Sequence, residues 1–178
     1  MPKPRTSFAN FCVSLQESFN MDVRRAGAAD VSKIAALESE IFSDPWSERA
    51  VSDCICKGSM CFVAVAEGEV IAYVLGTLIA PEGEIYRIAV RPDKRQRGIG
   101  YRLLDYSVKT ERGRGLETLF LEVRSKNIPA RKLYTAYGFK EISVRKNYYR
   151  DPPDDAIVML RARGEDMRKP YSKERETR

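Results

Sequence analysis

The sequence predicts an α/β (α+β) domain with one mixed β-sheet and helices on both of its faces. Three observations carry this. Apolar positions switch repeatedly between helical spacing and short β-rich runs. The resulting order is strand, two helices, three strands, helix, strand, helix, two strands, which alternates as layered α/β domains do. At 178 residues, 43% hydrophobic and 31% charged, the chain has material for one core and a polar surface.

Taken in order, residues 1–20 read as an N-terminal extension that need not be native, and Met21 reads as a natural domain start. A short strand follows Met21, and Asp30 is positioned to cap a helix carrying Val31, Ile34, Ala35, Leu37 and Ile41. Asp44-Pro45-Trp46 opens a second helix, with Asp44 as cap and Pro45 in the first turn, ending at Gly58. Cys61–Ala66 is a strand, Glu67-Gly68-Glu69 a hairpin turn, and Val70–Ala80 the second arm. Pro81 and Gly83 turn the chain into a strand over Ile85–Val90. A helix spans Gly98–Arg112 and stops at Gly113 and Gly115. Leu119–Val123 is a strand, and Pro129–Tyr137 a short helix closed by Gly138. Two strands, Phe139–Tyr149 and Ala156–Leu160, finish the domain around a loop with Pro152 and Pro153. The domain is expected over 21–161, with a charged, aperiodic, disordered tail over 162–178.

Several chemistries are excluded. Histidine is absent, which removes Ser-His-Asp and Cys-His catalysis and His-containing metal sites. The cysteines are Cys12, Cys54, Cys56 and Cys61. Cys54 and Cys56 stand two apart on a helix and point away from each other, so ordinary buried or half-buried thiols are expected and no metal. Free thiols, no cleavable leader and no membrane-length apolar run predict a cytoplasmic protein. The net charge of +6 admits an anionic partner or merely a basic surface.

Arg95-Gln96-Arg97-Gly98-Ile99-Gly100 lies between an apolar strand and an amphipathic helix. Glycines at a helix start admit a ligand to the backbone, and the unpaired N–H groups there suit a pyrophosphate. The same pattern also describes a glycine-containing cap. It is neither a Walker loop nor a full dinucleotide fingerprint.

Here the chain resembles the GNAT superfamily of N-acetyltransferases, whose Arg/Gln-x-x-Gly-x-Gly/Ala signature Arg95–Gly100 matches in full. The resemblance implies that Arg95, Gln96, Arg97, Gly98, Ile99, Gly100 and Tyr101 bind acetyl-CoA as co-substrate. It implies that the backbone of Ile88, Ala89 and Val90 holds the acetyl carbonyl and pantetheine arm. It also implies two parallel strands that splay apart, here Ile85–Val90 and Leu119–Val123.

A further block, L-E-V-R-x-x-N-x-x-A-x-x-L-Y-x-x-x-G-F, runs from Leu121 to Phe139. With Pro45-Trp46-Ser47, Arg145–Tyr149 and Asp154-Asp155-Ala156, it is similar to the RimI-type branch, which acetylates the N-terminal alanine of the eighteenth small-subunit ribosomal protein. That resemblance implies Glu122 as general base, Tyr134 as general acid and Asn127 as a cofactor contact. Trp46, Tyr148 and Tyr149 would then line the acceptor groove. The expected partner is a ribosomal protein N-terminus, with no membrane and no direct nucleic-acid binding; the sequence leaves the oligomeric state open, with a monomer favoured. The chemistry agrees with these residue types. Roughly a tenth of α-amines are neutral near pH 7, against about one lysine in a thousand or fewer. A carboxylate can take the remaining proton and a phenol can protonate the departing thiolate. Two other readings stay open: a GNAT enzyme for lysines or small amines, and a non-enzymatic basic RNA- or ribosome-binding protein.

Overall fold

A computed structural model describes residues 20–57 and 60–164. The expected extension before residue 20, Cys12, Gly58 and the tail beyond residue 164 lie outside the described residues. The elements are β1 (Asp22–Arg25), α1 (Val31–Ile41), α2 (Glu48–Cys56), β2 (Phe62–Ala66), β3 (Glu69–Ile79), β4 (Glu82–Val90), α3 (Ile99–Arg112), β5 (Thr118–Arg124), α4 (Ile128–Ala136), β6 (Lys140–Arg150) and β7 (Pro153–Ala162). The strands form one sheet in the order β1-β2-β3-β4-β5-β7-β6. Every neighbouring pair is antiparallel except β4–β5, which is parallel. The expected mixed sheet is therefore present, with β4–β5 joined by the crossover through α3.

Helices cover both faces. One core holds Leu103, Leu104 and Val108 of α3 and Tyr134 of α4 against Ile85, Leu119, Leu121 and Met159 of the sheet. The other holds Ile34 and Leu37 of α1 and Val51 and Cys54 of α2 against Val63, Tyr73, Leu75 and Ala89. The three- and four-residue spacing of these helical positions puts each set on one stripe. Among the described residues no helix is long and apolar enough to cross a membrane.

Two expected caps are replaced. Asp30 stands at the start of α1 but makes no side-chain cap bond. Its carboxylate takes the Arg24 guanidinium at 2.7 and 2.9 Å and the Gly27 N–H at 2.9 Å. A bidentate, charge-assisted contact outcompetes a single amide. Asp44 does not cap α2 either, because Ser47, in extended conformation, accepts the Ala50 N–H at 3.2 Å. Asp44 instead meets Arg87 at 3.1 Å. Two boundaries also move. Gly83 lies inside β4, and Pro153 already begins β7, so the expected proline loop is a tight turn. Of the described cysteines, Cys54 and Cys61 are buried with sulfurs 3.5 Å apart, and Cys56 is exposed.

One irregularity positions everything that follows. The β3–β4 register shifts so that Leu75 faces Arg87 and Gly76 faces Ile85, leaving Tyr86 as an extra residue. A bulge of this kind bends its strand and increases its twist. The parallel β4–β5 ladder ends at the same rung, Ile85↔Leu121, although β4 continues to Val90 and β5 to Arg124. The two strands splay beyond it, as expected. Gly76 makes the bulge possible, since a Cβ there would lie 2.4 Å from the Glu84 carbonyl oxygen. Substituting Gly76→Ala should therefore cost about 3 kcal/mol of stability, through overpacking against backbone that cannot yield. Urea unfolding measures this, and an unchanged midpoint would show that the bulge tolerates the methyl group.

Candidate active site

The gap between the diverging strands exposes backbone. The Arg91 N–H donates to the Ile71 carbonyl at 2.8 Å, so Arg91 faces β3. In an antiparallel ladder the direction alternates, so Ala89 and Arg87 also face β3, and Ile88 and Val90 turn their backbone groups to the open side. Of the three residues expected to hold the acyl group, Ile88 and Val90 present free strand edge. Ala89 exchanges its bonds with Tyr73, and its side chain belongs to the core under α1 and α2. The Val90 carbonyl accepts from Arg95 Nε at 3.0 Å, which folds the following loop against the mouth of the gap.

That loop runs from a 3₁₀ turn at Pro92–Lys94 into α3. Gln96 (φ 63°) and Gly98 (φ 73°) are left-handed, alternating with extended Arg95. Left-handed residues alternating with others in a turn at a helix start can aim successive N–H groups into one concavity that receives anions. The first i→i−4 bond of the helix runs from Arg102 N–H to the Gly98 carbonyl at 3.0 Å, so the amides of Gly98, Ile99 and Gly100 have no helical acceptor. Gly100 serves packing as well as access: a Cβ would meet Leu133 at 3.3 Å and Val90 at 3.6 Å. This cradle and its exposed arginines fit a pyrophosphate. The Tyr101 ring packs edge-on against Tyr137 at 5.3 Å. Asn127 is exposed and caps α4, its side-chain oxygen accepting the Ala130 N–H at 3.2 Å.

Glu122 sits one residue past the last β4–β5 rung, on the sheet face away from α3 and α4. Arg145 of β6 contacts its Oε1 at 2.6 Å, and the Tyr148 hydroxyl hydrogen-bonds to it. Tyr134 projects from α4 into the opposite core, buried and 5.7 Å from the Phe139 ring. Burial pushes its phenol well above the ordinary tyrosine range, with a smaller push from Tyr149. Tyr149 is raised chiefly by burial and next by Glu122. Tyr149 thus lies near enough to both expected catalytic groups for their charges to interact. Trp46 closes the other wall, with its ring 6.0 Å from Tyr86, the bulged residue.

Arg124, Asp154 and Asp155, quoted in motifs without a role, help build this site, as does Glu38, which no motif contained. Arg124 donates to the carbonyls of Pro152 and Asp151 at 2.7 and 2.8 Å and stacks 4.1 Å over Tyr149. Asp154 accepts from Ser125 Oγ at 2.6 Å and from Lys126 N–H at 3.2 Å, tying the β5–α4 turn to β7. Asp155 accepts from Lys146 Nζ at 2.7 Å and Asn147 N–H at 2.9 Å. It pins a bulge where β6 slips between Arg145↔Ala156 and Tyr149↔Asp154, with Asn147 left-handed at φ 52°. That bulge throws Tyr148 and Tyr149 over the gap. Glu38 of α1 is fully buried. It takes the Tyr73 hydroxyl and the Trp46 N–H (2.9 Å), with Arg87 Nε at 3.9 Å. The sequence signal was available only as composition, an acid-acid-alanine run and an arginine closing L-E-V-R.

Hydrogen bonds hold the Asp154 carboxyl (Ser125 first) and the Asp155 carboxyl (Lys146 first) below the usual range. A lowered folded-state pKa stabilises the fold above the unfolded value of about 4, and that stabilisation is lost as pH falls below it. Stability should thus be flat in these groups from pH 7 to about 4.5 and fall beneath. The Asp155→Asn variant should show a shallower acid limb in thermal melts from pH 5 to 2. Identical limbs would show that Asp155 does not contribute.

Comparison with known proteins follows the same lines. Residues 31–139 match the acetyltransferase (GNAT) family. The [ribosomal protein bS18]-alanine N-acetyltransferase of Escherichia coli (strain K12) is 34% identical over 125 residues, 69% of this chain and 84% of the relative. That of Haemophilus influenzae is 29% identical over 135 residues, 74% of this chain and 92% of the relative. The crystal structure of the ribosomal-protein-S18-alanine N-acetyltransferase from Escherichia coli superposes with a TM-score of 0.76 at 28% identity. The match covers 86% of this chain and 100% of that one.

Proposed function

We propose, from the premise that this chain belongs to the acetyltransferase (GNAT) family and is an acetyl-CoA-dependent N-acetyltransferase, that its acceptor is the N-terminal α-amine of a ribosomal protein, alanine first. The observation that carries the mechanism is the placement of Glu122 and the open edge of Ile88 and Val90 at one gap. The acceptor assignment is supported by the E. coli and H. influenzae relatives, which act on a ribosomal protein's alanine.

Bound acetyl-CoA supplies the thioester. The amides of Gly98, Ile99 and Gly100, with Arg95 and Arg97, hold its pyrophosphate. The outward N–H groups of Ile88 and Val90 are donors for the acyl oxygen, where negative charge develops. Glu122 accepts the proton of the attacking amine, directly or through one water. Tyr134, protonated at every working pH by its burial, donates to the departing sulfur. The amine attacks directly, so no covalent enzyme intermediate forms. Trp46, Tyr86, Tyr148 and Tyr149 provide aromatic walls around the incoming N-terminus.

Labelled acetyl-CoA should acetylate a peptide with a free N-terminal alanine and leave an N-terminally blocked peptide with internal lysines untouched. Preference for the blocked peptide would instead favour a lysine acetyltransferase. Glu122→Gln should lower turnover by roughly 10²–10⁴-fold and flatten the acid limb of the pH–rate profile. An unshifted profile removes Glu122 as base. Tyr134→Phe should lower turnover with the KM for acetyl-CoA nearly intact, and normal turnover would assign the acid role to water.

A further inference from the structure

The two helices on the Glu122 side cover only part of the sheet. Every sheet residue packed beneath α1 and α2 comes from β2, β3 or β4, and none from β5, β6 or β7. The remaining part of that face is an open groove of about 390 Å³, lined by Ile79, Glu82, Glu84, Phe120, Glu122 and Arg145. Phe120 belongs to neither core. Ile79 is 76% exposed and lines the same groove as Phe120.

Register fixes the dimensions. Glu84 pairs with Phe120 and Glu82 with Thr118, two and four residues before Glu122 along β5. At about 3.3 Å per residue these carboxylates stand roughly 7 and 13 Å from the level of Glu122. An extended polypeptide whose first residue reaches Glu122 would present alternate side chains at the same spacing, since its own period is two.

Charge argues for the occupant. The chain carries +6 overall, which repels a cationic acceptor at long range, yet this groove gathers three glutamates against one arginine. The protein also shows what the groove takes. The Arg145 guanidinium, more than half exposed, lies on Glu122 at 2.6 Å and against the Tyr148 ring, where an acceptor ammonium must arrive.

We propose that this groove receives the acceptor segment that follows the acetylated residue, in extended form. It selects acceptors with basic side chains two residues apart, read by Glu84 and Glu82, and the incoming ammonium displaces Arg145 from Glu122. The proposal rests on the N-terminal acceptor reading above and adds which N-termini are preferred. The apolar strip of Phe120 and Ile79 accepts the aliphatic stems of those basic residues.

The test uses the full chain at saturating acetyl-CoA. Three six-residue peptides share an N-terminal alanine and carry, at alternate later positions, two arginines, two glutamines or two glutamates. The arginine peptide should have a KM about tenfold below the glutamine peptide at equal kcat, with the gap narrowing as salt rises. In the Glu82→Gln/Glu84→Gln double variant the gap should close, while kcat on the glutamine peptide stays at the wild-type value. Equal KM values in the wild type, or a preference that survives in the double variant, would overturn the groove. If the double variant changes only the solution mass by light scattering, the groove is a self-contact and the proposal falls. Failure to acetylate all three peptides would count against the N-terminal acceptor reading itself. Robust acetylation without charge preference would count against the groove alone.

Discussion

The end of the β4–β5 ladder at Ile85↔Leu121 is the constraint on which the rest depends. Parallel strands in a sheet normally stay paired because an unpaired buried N–H or C=O group is costly. Here the Tyr86 bulge, accommodated by Gly76, bends β4 away and leaves Ile88 and Val90 with outward backbone groups. A gap edged by strand amides is in effect a strand-shaped site awaiting a partner. The same divergence lets Tyr134, from the core under α3 and α4, approach Tyr149 on the other face. The proposed base and acid therefore come from opposite sides of one sheet, with Tyr149 between them.

The walls of the gap are held by polar groups rather than by core packing. Glu38, fully buried, fixes the α1–α2 connection by binding Tyr73, Trp46 and Arg87 together. Arg124, Asp154 and Asp155 do the same for the β6–β7 side. Ionic groups in such positions rarely add much net stability, because desolvation offsets the attraction. Their value lies in direction. Each of these carboxylates and the guanidinium holds two or more groups at once, so the aromatic walls stand at set positions on strands that the bulges have bent. A wall made of apolar contacts alone would have tolerated many such positions.

Function follows from the same division of labour. The proposed anion cradle at Gln96–Gly100 belongs to backbone geometry, and the proposed acid–base pair belongs to side chains on two faces of the sheet. On the groove proposal, acceptor choice falls to the surface beyond Glu122. If the acceptor is a cationic N-terminus, a basic protein gains from concentrating carboxylates along the proposed track.

The sequence alone determined the element order, the amphipathic stripes and the anion cradle, because each depends on residues close together in the chain. Helical spacing at Ile34 and Leu37, glycine at 98 and 100, and the β-rich runs are local instructions. The L-E-V-R and L-Y-x-x-x-G-F motifs placed Glu122 and Tyr134 by resemblance, not by physics. Tertiary structure decided the rest. Asp30 and Asp44 read locally as caps, but Arg24 and Arg87 claimed them, since a guanidinium brought near by folding outbids a single amide. The bulges at Tyr86 and Lys146–Tyr148 are equally invisible along the chain. They arise from a mismatch of register between two strands, which exists only once both strands are side by side. Where the sheet is left uncovered is also a tertiary fact: the lengths and placement of α1 and α2 decide it, not the sequence of β5.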